Sequence, residues 1–125
     1  MIVSHLTSNS ITIDPLYPPG PIIWSSPIPM NSIVFGVTCR VITTITGSGL
    51  TGFSIGDGSD VDRWGANIAL AAGTITGIAN FTILPTIATY GAATNVVLTP
   101  VGGANFETGA IKLVVHFLQI IAPSA

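Results

Sequence analysis

Half of the charge in this chain sits in one short stretch. The segment "SIGDGSDVDRWG", residues 54–65, holds Asp57, Asp60, Asp62 and Arg63, in a sequence of 125 residues with only three basic and five acidic side chains. Carboxylates this close could ligate a cation. The regular calcium loop takes oxygen ligands at alternating positions, with a glycine at the sixth position and a glutamate at the twelfth. Counted from Asp57 the fifth position is Val61, and counted from Asp60 it is Trp64, so that pattern fails in both registers. An irregular calcium site of the kind found in sandwich loops is the lesser alternative. A glycosidase pair needs two acids facing each other across a cleft, one kept protonated by burial. Asp60 and Asp62 share a Gly-rich turn, where burial that would keep one of them protonated is not expected. The third use is architectural. Aspartate side chains accept backbone N–H donors in turns, and Gly56, Gly58 and Gly65 supply backbone freedom where the chain reverses. Arg63 can pair with Asp60 or Asp62, and Trp64 can pack down as an anchor. The expectation is an ordered surface turn that neither binds metal nor catalyses.

The remaining reactive residues do not assemble into a catalytic set. Cys39 is alone, so no intrachain disulfide or cysteine metal site can form, and core packing is the ordinary fate of such a thiol. His5 and His116 have no nucleophilic partner in any recognisable spacing, and "GxSxG", "HExxH" and phosphate-cradling glycine motifs are absent. No enzyme activity and no cofactor is expected.

Composition narrows the class further. Charged residues are 6% of the chain against roughly 25% in ordinary soluble domains, while 48% are hydrophobic and the net charge is −2. Disorder follows from low hydrophobicity with high charge, the reverse of this balance, so the chain should fold as one domain with a real core. The basic residues are scattered at 40, 63 and 112 and form no patch, which speaks against a nucleic-acid partner. Mean hydropathy is +0.73, yet the most apolar run, "AIKLVVHFLQIIA", is broken by Lys112, His116 and Gln119, so a membrane-spanning helix is not expected. The opening "MIVSHLTSNS" lacks the cationic and apolar regions of a signal peptide, so cytoplasmic synthesis is expected. A surface this neutral and apolar has to be covered, and tight self-association or attachment to a larger assembly does that.

The elements follow from periodicity. Six of nine prolines fall in "DPLYPPGPIIWSSPIP", which therefore can be neither helix nor central strand. Residues 1–30 are expected to form an extended arm whose Leu16, Tyr17, Ile22, Ile23, Trp24 and Ile28 lie on something, either their own domain or a neighbouring protein. From residue 31 to 125 the pattern is that of a β-sandwich. Ile33, Phe35, Val37, Cys39, Val41 and Ile45 recur every second residue, and a second long strand runs through "GAIKLVVHFLQI". The short runs "GFSIG", "NIALA", "NFTIL" and "NVVLT" between them complete an antiparallel sandwich of jelly-roll type. Val37, Cys39, Val41, Val115 and Phe117 are expected inside. Arg40, Lys112 and His116 are expected near a subunit contact or neutralised by main-chain acceptors.

From about residue 33 to 123 the sequence resembles a domain of bacteriophage and phage-derived virion proteins of alphaproteobacteria and cyanobacteria. The resemblance is carried by the strand "IVFGVTCRVITTITG", by "DRWG" at 62–65, "IALAAGT" at 68–74, "LTPVGGANFETGAIKLVVHF" at 98–117 and "AP" at 122–123, in that order. Trp64 stands where phenylalanine is expected, and the Pro-rich arm has no counterpart. The resemblance implies a non-enzymatic virion structural domain, often trimeric. With little chain ahead of the domain for a fibre shaft, the leading expectation is a capsid decoration or cement protein, a homotrimer that binds the major capsid protein or other virion proteins. The alternative is a tail fibre, spike or baseplate component that binds host surface glycan, with Trp24, Trp64 and Tyr90 as its aromatic platforms.

Overall fold

The computed structural model describes residues 4–13, 19–77, 80–81 and 87–122. All elements among these residues are strands: β1 (Ser4–Ile13), β2 (Ile22–Ile28), β3 (Ser32–Thr46), β4 (Gly52–Gly56), β5 (Gly65–Ile68), β6 (Ile75–Thr76), β7 (Ala88–Tyr90), β8 (Thr94–Val101) and β9 (Thr108–Gln119). They form a β-sandwich of two antiparallel sheets. One sheet has the order β1-β9-β3-β6, with β7 also pairing with β3, and the other has the order β2-β8-β4-β5.

The spine of the first sheet is the long β3–β9 pair. Both strands are rich in Val, Ile and Thr, which fit a pleated, half-buried surface. Ile111, Leu113, Val115 and Phe117 of β9 alternate into the core, and Val37, Cys39 and Val41 do the same from β3. At the start of β3 the expected alternation is reversed. Val34 pairs with Phe117 and Gly36 pairs with His116, so Phe35 is an extra, bulged residue. The bulge turns Val34 inward at 0% exposure and Phe35 outward at 48%.

The described part of the N-terminal segment lies on its own domain, one of the two expected alternatives, and does so as strands rather than as an arm. β1 pairs with β9 over all ten of its residues, and β2 pairs with β8, so both are strands of the sandwich. Each lies at the edge of its sheet. The prolines exclude a central position, as expected, but an edge strand needs ladder bonds on only one side. In β2 the irregularity is absorbed between Trp24 and Ile28, where the register shifts around Pro27 and Ser26 has a φ of 52°. The Ser26 N–H donates to Asn95 Oδ1 at 2.8 Å and the Gly20 N–H donates to Asn105 Oδ1 at 2.9 Å, so these two backbone donors are met by the chain's own side chains. Ile22 and Ile28 are fully buried in the core. Leu16 and Tyr17 lie outside the described residues.

The core lies between the sheets. Val34, Val37, Val41 and Leu113 of one sheet meet Ile22, Phe53, Ile55, Ile68 and Leu98 of the other, and Trp64 joins them from the loop that follows β4. The run "NIALA" gives Asn67 and Ile68 to β5 before the chain turns, and most of "NFTIL" lies outside the described residues. β4 and β5 are neighbours both in sequence and in the second sheet, and the acidic loop, residues 57–64, joins them.

Candidate functional site

The acidic loop folds around Asp57. Its Oδ1 accepts the backbone N–H of Ser59 at 3.0 Å and of Asp60 at 2.9 Å. Its Oδ2 accepts Arg63 Nε–H at 2.7 Å and the Tyr90 hydroxyl at 2.5 Å. The turn closes through Asp57 N–H to the Asp60 carbonyl at 3.2 Å, and Asp62 N–H donates to Asp60 Oδ1 at 3.3 Å. Gly56 makes the fold-back possible, because a Cβ there would collide with the carbonyl groups of Asp60 and Val61. The expected pairing of Arg63 with Asp60 or Asp62 is therefore replaced by pairing with Asp57. Asp57 is the acid that can be reached from both flanks of the turn.

The electrostatics follow from these contacts. The Asp57 side chain is only 4% exposed and that of Arg63 is 23% exposed. Burial alone would push the Asp57 carboxyl up, but the Tyr90 hydroxyl, the N–H groups of Asp60 and Ser59, and the Arg63 charge outweigh it and hold the group below its ordinary value. Tyr90 answers in the other direction: burial and its hydrogen bond to the carboxylate raise its pKa well above the usual tyrosine range. Burial opposes the charged form of Arg63, but the Asp57 carboxylate raises its pKa further. Asp62 stands at the exposed tip, its carboxyl raised by hydrogen bonding and charge from Asp60.

Tyr90 and Trp64 turn this loop into a clasp between sheets. Tyr90 closes β7 in the first sheet, while the loop belongs to the second, so the Asp57–Tyr90 hydrogen bond ties one sheet to the other. Trp64 has 0% exposure, and its ring centroid lies 6.3 Å from that of Tyr90 at 55°. Its backbone N–H donates to the Ile55 carbonyl at 3.0 Å. Full burial rules Trp64 out as a glycan platform. Tyr90 and Trp24 are half-buried, with Trp24 packed against the core.

This arrangement fits anchoring better than catalysis. Both oxygens of Asp57 already accept two donors each, so a cation could enter only by displacing them. Among the described residues no group of three or more His, Cys, Asp or Glu side chains is placed to hold a metal. Cys39 is buried and its thiol is pushed up by burial, with Thr76 Oγ1 donating to Sγ at 3.4 Å, so it is kept in the unreactive form. His116 bonds Thr38 Oγ1 at 2.9 Å on the outer side of β9, and burial lowers its pKa. Arg40 and Lys112 are register partners across β3 and β9, and both are exposed.

Of the segment expected to contact a neighbour, Ile22 and Ile28 face the core of their own chain, while Ile23 faces out at 58% exposure. The outward apolar surface lies mainly elsewhere, at Phe35, Ile42, Ile75, Ile87, Ile120 and Ile121. Sequence reasoning missed the role of Tyr90 because it stands 33 positions from Asp57 and no local spacing links the two.

No family model matches the chain, and no curated protein matches it. Among solved structures, the chain is similar to one titled "Cyanophage Pam1 capsid asymmetric unit", with a TM-score of 0.61. The fold is shared. The match spans 95% of this chain and 85% of that one at 16% sequence identity.

Proposed function

We propose that this chain is a structural protein of a bacteriophage virion, more narrowly a homotrimeric decoration or cement protein that sits on the head and stabilises it. The observation that carries the reading is the likeness of nearly the whole chain to a cyanophage capsid unit. The order β1-β9-β3-β6 facing β2-β8-β4-β5 supports a jelly roll, an architecture that recurs in capsid domains. A sparsely charged surface with large exposed apolar side chains supports a protein that works while covered by neighbours. The site chemistry fits a non-catalytic role, since the conspicuous carboxylate is committed to four donors within its own chain. The glycan-binding tail component is the weaker reading, because one of its three aromatic platforms, Trp64, is sealed in the core.

The contact with the major capsid protein falls to the outward side chains of the N-terminal segment, Ile23 above all, and to the exposed apolar positions beyond it. The test is to mix purified full-length protein with phage particles lacking it, then separate bound from free by sedimentation. Saturable binding to heads supports the reading, and protein left wholly in the free fraction overturns it.

A further inference from the structure

We propose that the outer face of the five-stranded sheet, centred on Arg40 and Lys112, is where a second copy of this chain docks, inserting the Asp60–Val61–Asp62 tip of its own β4–β5 loop. The proposal rests on the reading that the protein acts as a self-assembled ring, and it assigns the two surfaces that meet. Arg40 lies between the inward-facing Cys39 and Val41, and Lys112 lies between the inward-facing Ile111 and Leu113, so both project from the outer face. They are Cα partners in the β3–β9 register. Like charges directly opposite on a sheet repel, so this pair is unfavourable until an anion meets it. Arg63, the third basic residue, is already engaged by Asp57, the only ion pair among the described residues.

The loop tip carries the complementary fault. Asp60 and Asp62 crowd each other enough to raise the Asp62 carboxyl, and Val61 between them is 52% exposed. The apolar surroundings match as well: Ile75, the register partner of Arg40, is 45% exposed, and Ile42 farther along β3 is 51% exposed. An acid–valine–acid tip thus faces a cation pair flanked by isoleucines. Among the described residues the tip and the cation pair form no ion pair with each other. A head-to-tail contact between identical copies joins two different patches, and it closes into a ring when the rotation per step permits.

Charge reversal tests this on the full-length chain. The variants are Arg40→Glu with Lys112→Glu, Asp60→Lys with Asp62→Lys, and all four together, each checked by circular dichroism for retained β structure and followed by sedimentation velocity across concentration and salt. Wild type is expected to self-associate less as salt rises, and each reversed pair to weaken association about tenfold or more, with the fourfold variant regaining it. Should the loop variant fail to fold, the Arg40→Glu, Lys112→Glu chain and the salt series still decide, since both alter only exposed charge. Association that survives reversal of the sheet pair, or a folded fourfold variant that stays dissociated, overturns the proposal. A wild type that decorates particles yet stays monomeric in solution overturns it while leaving the virion reading standing.

Discussion

Asp57 is the residue on which the loop depends. Truncation to alanine strands two backbone N–H groups, the Arg63 guanidinium and the Tyr90 hydroxyl at once. Charge-assisted bonds to a nearly buried carboxylate lead to an expected loss of about 3 kcal/mol for Asp57→Ala by thermal or denaturant unfolding. Asp57→Asn keeps an acceptor for the turn but offers a donor to Arg63, so about half that loss is expected. Asp62→Ala is expected to leave the melting temperature unchanged, because the Asp62 carboxyl stands at the exposed tip. The pH dependence has a definite sign. The Asp57 pKa is depressed in the folded state, so its contribution is full above the ordinary carboxylate range and disappears as pH falls through the folded value. The Tyr90 pKa is raised, so its contribution is full below the ordinary tyrosine range and is lost as pH climbs past it. Melts across pH should therefore show an acid limb that is shallower in Asp57→Asn. A melt with EDTA is expected to superimpose on one without it, and a drop of many degrees would mean that a cation holds the loop. The Gly and Asp chemistry of "GDGSD" made an ordered turn legible in the sequence. Which aspartate organises it was not legible, because the deciding partner, Tyr90, arrives through the tertiary fold.

At the scale of elements, the two long strands were readable because β-branched residues alternate along them, and their inward sets from Val37 onward match the structure. The start of β3 was not readable, since a one-residue bulge at Phe35 reverses parity without any change in residue type. The Pro-rich segment was misjudged for a physical reason. Proline excludes a strand that must pair on both sides, but β2 pairs on one side only, and two asparagine side chains serve backbone donors along this segment. The β4–β5 hairpin depends on close backbone approach at Gly56. Gly56→Ala is expected to cost at least about 2 kcal/mol, because the clash is with main-chain carbonyl groups that cannot rotate away. Tyr90→Phe removes the hydroxyl that ties β7 to the loop and is expected to cost about 1.5 kcal/mol, with hydrogen exchange rising first at residues 57–64. Equal protection of that loop in both proteins would show that the sheet-to-sheet clasp holds without the hydroxyl.

At the scale of the whole molecule, the few charges among the described residues are either used internally or displayed in like-signed pairs, and the exposed apolar side chains are spread over more than one face of the sandwich. Its neutral composition was legible at once and pointed to assembly before any element was placed. The location of the exposed apolar side chains was not, because exposure at Phe35, Ile42 and Ile75 depends on sheet order and on the bulge in β3. The place proposed for this chain is the shell of a phage head. The most direct measurement is an image reconstruction of particles lacking the protein, before and after incubation with the purified full-length chain. New density of this sandwich shape, repeated over the shell in threefold clusters, is expected. Density confined to the tail, or no difference between the two reconstructions, would contradict it.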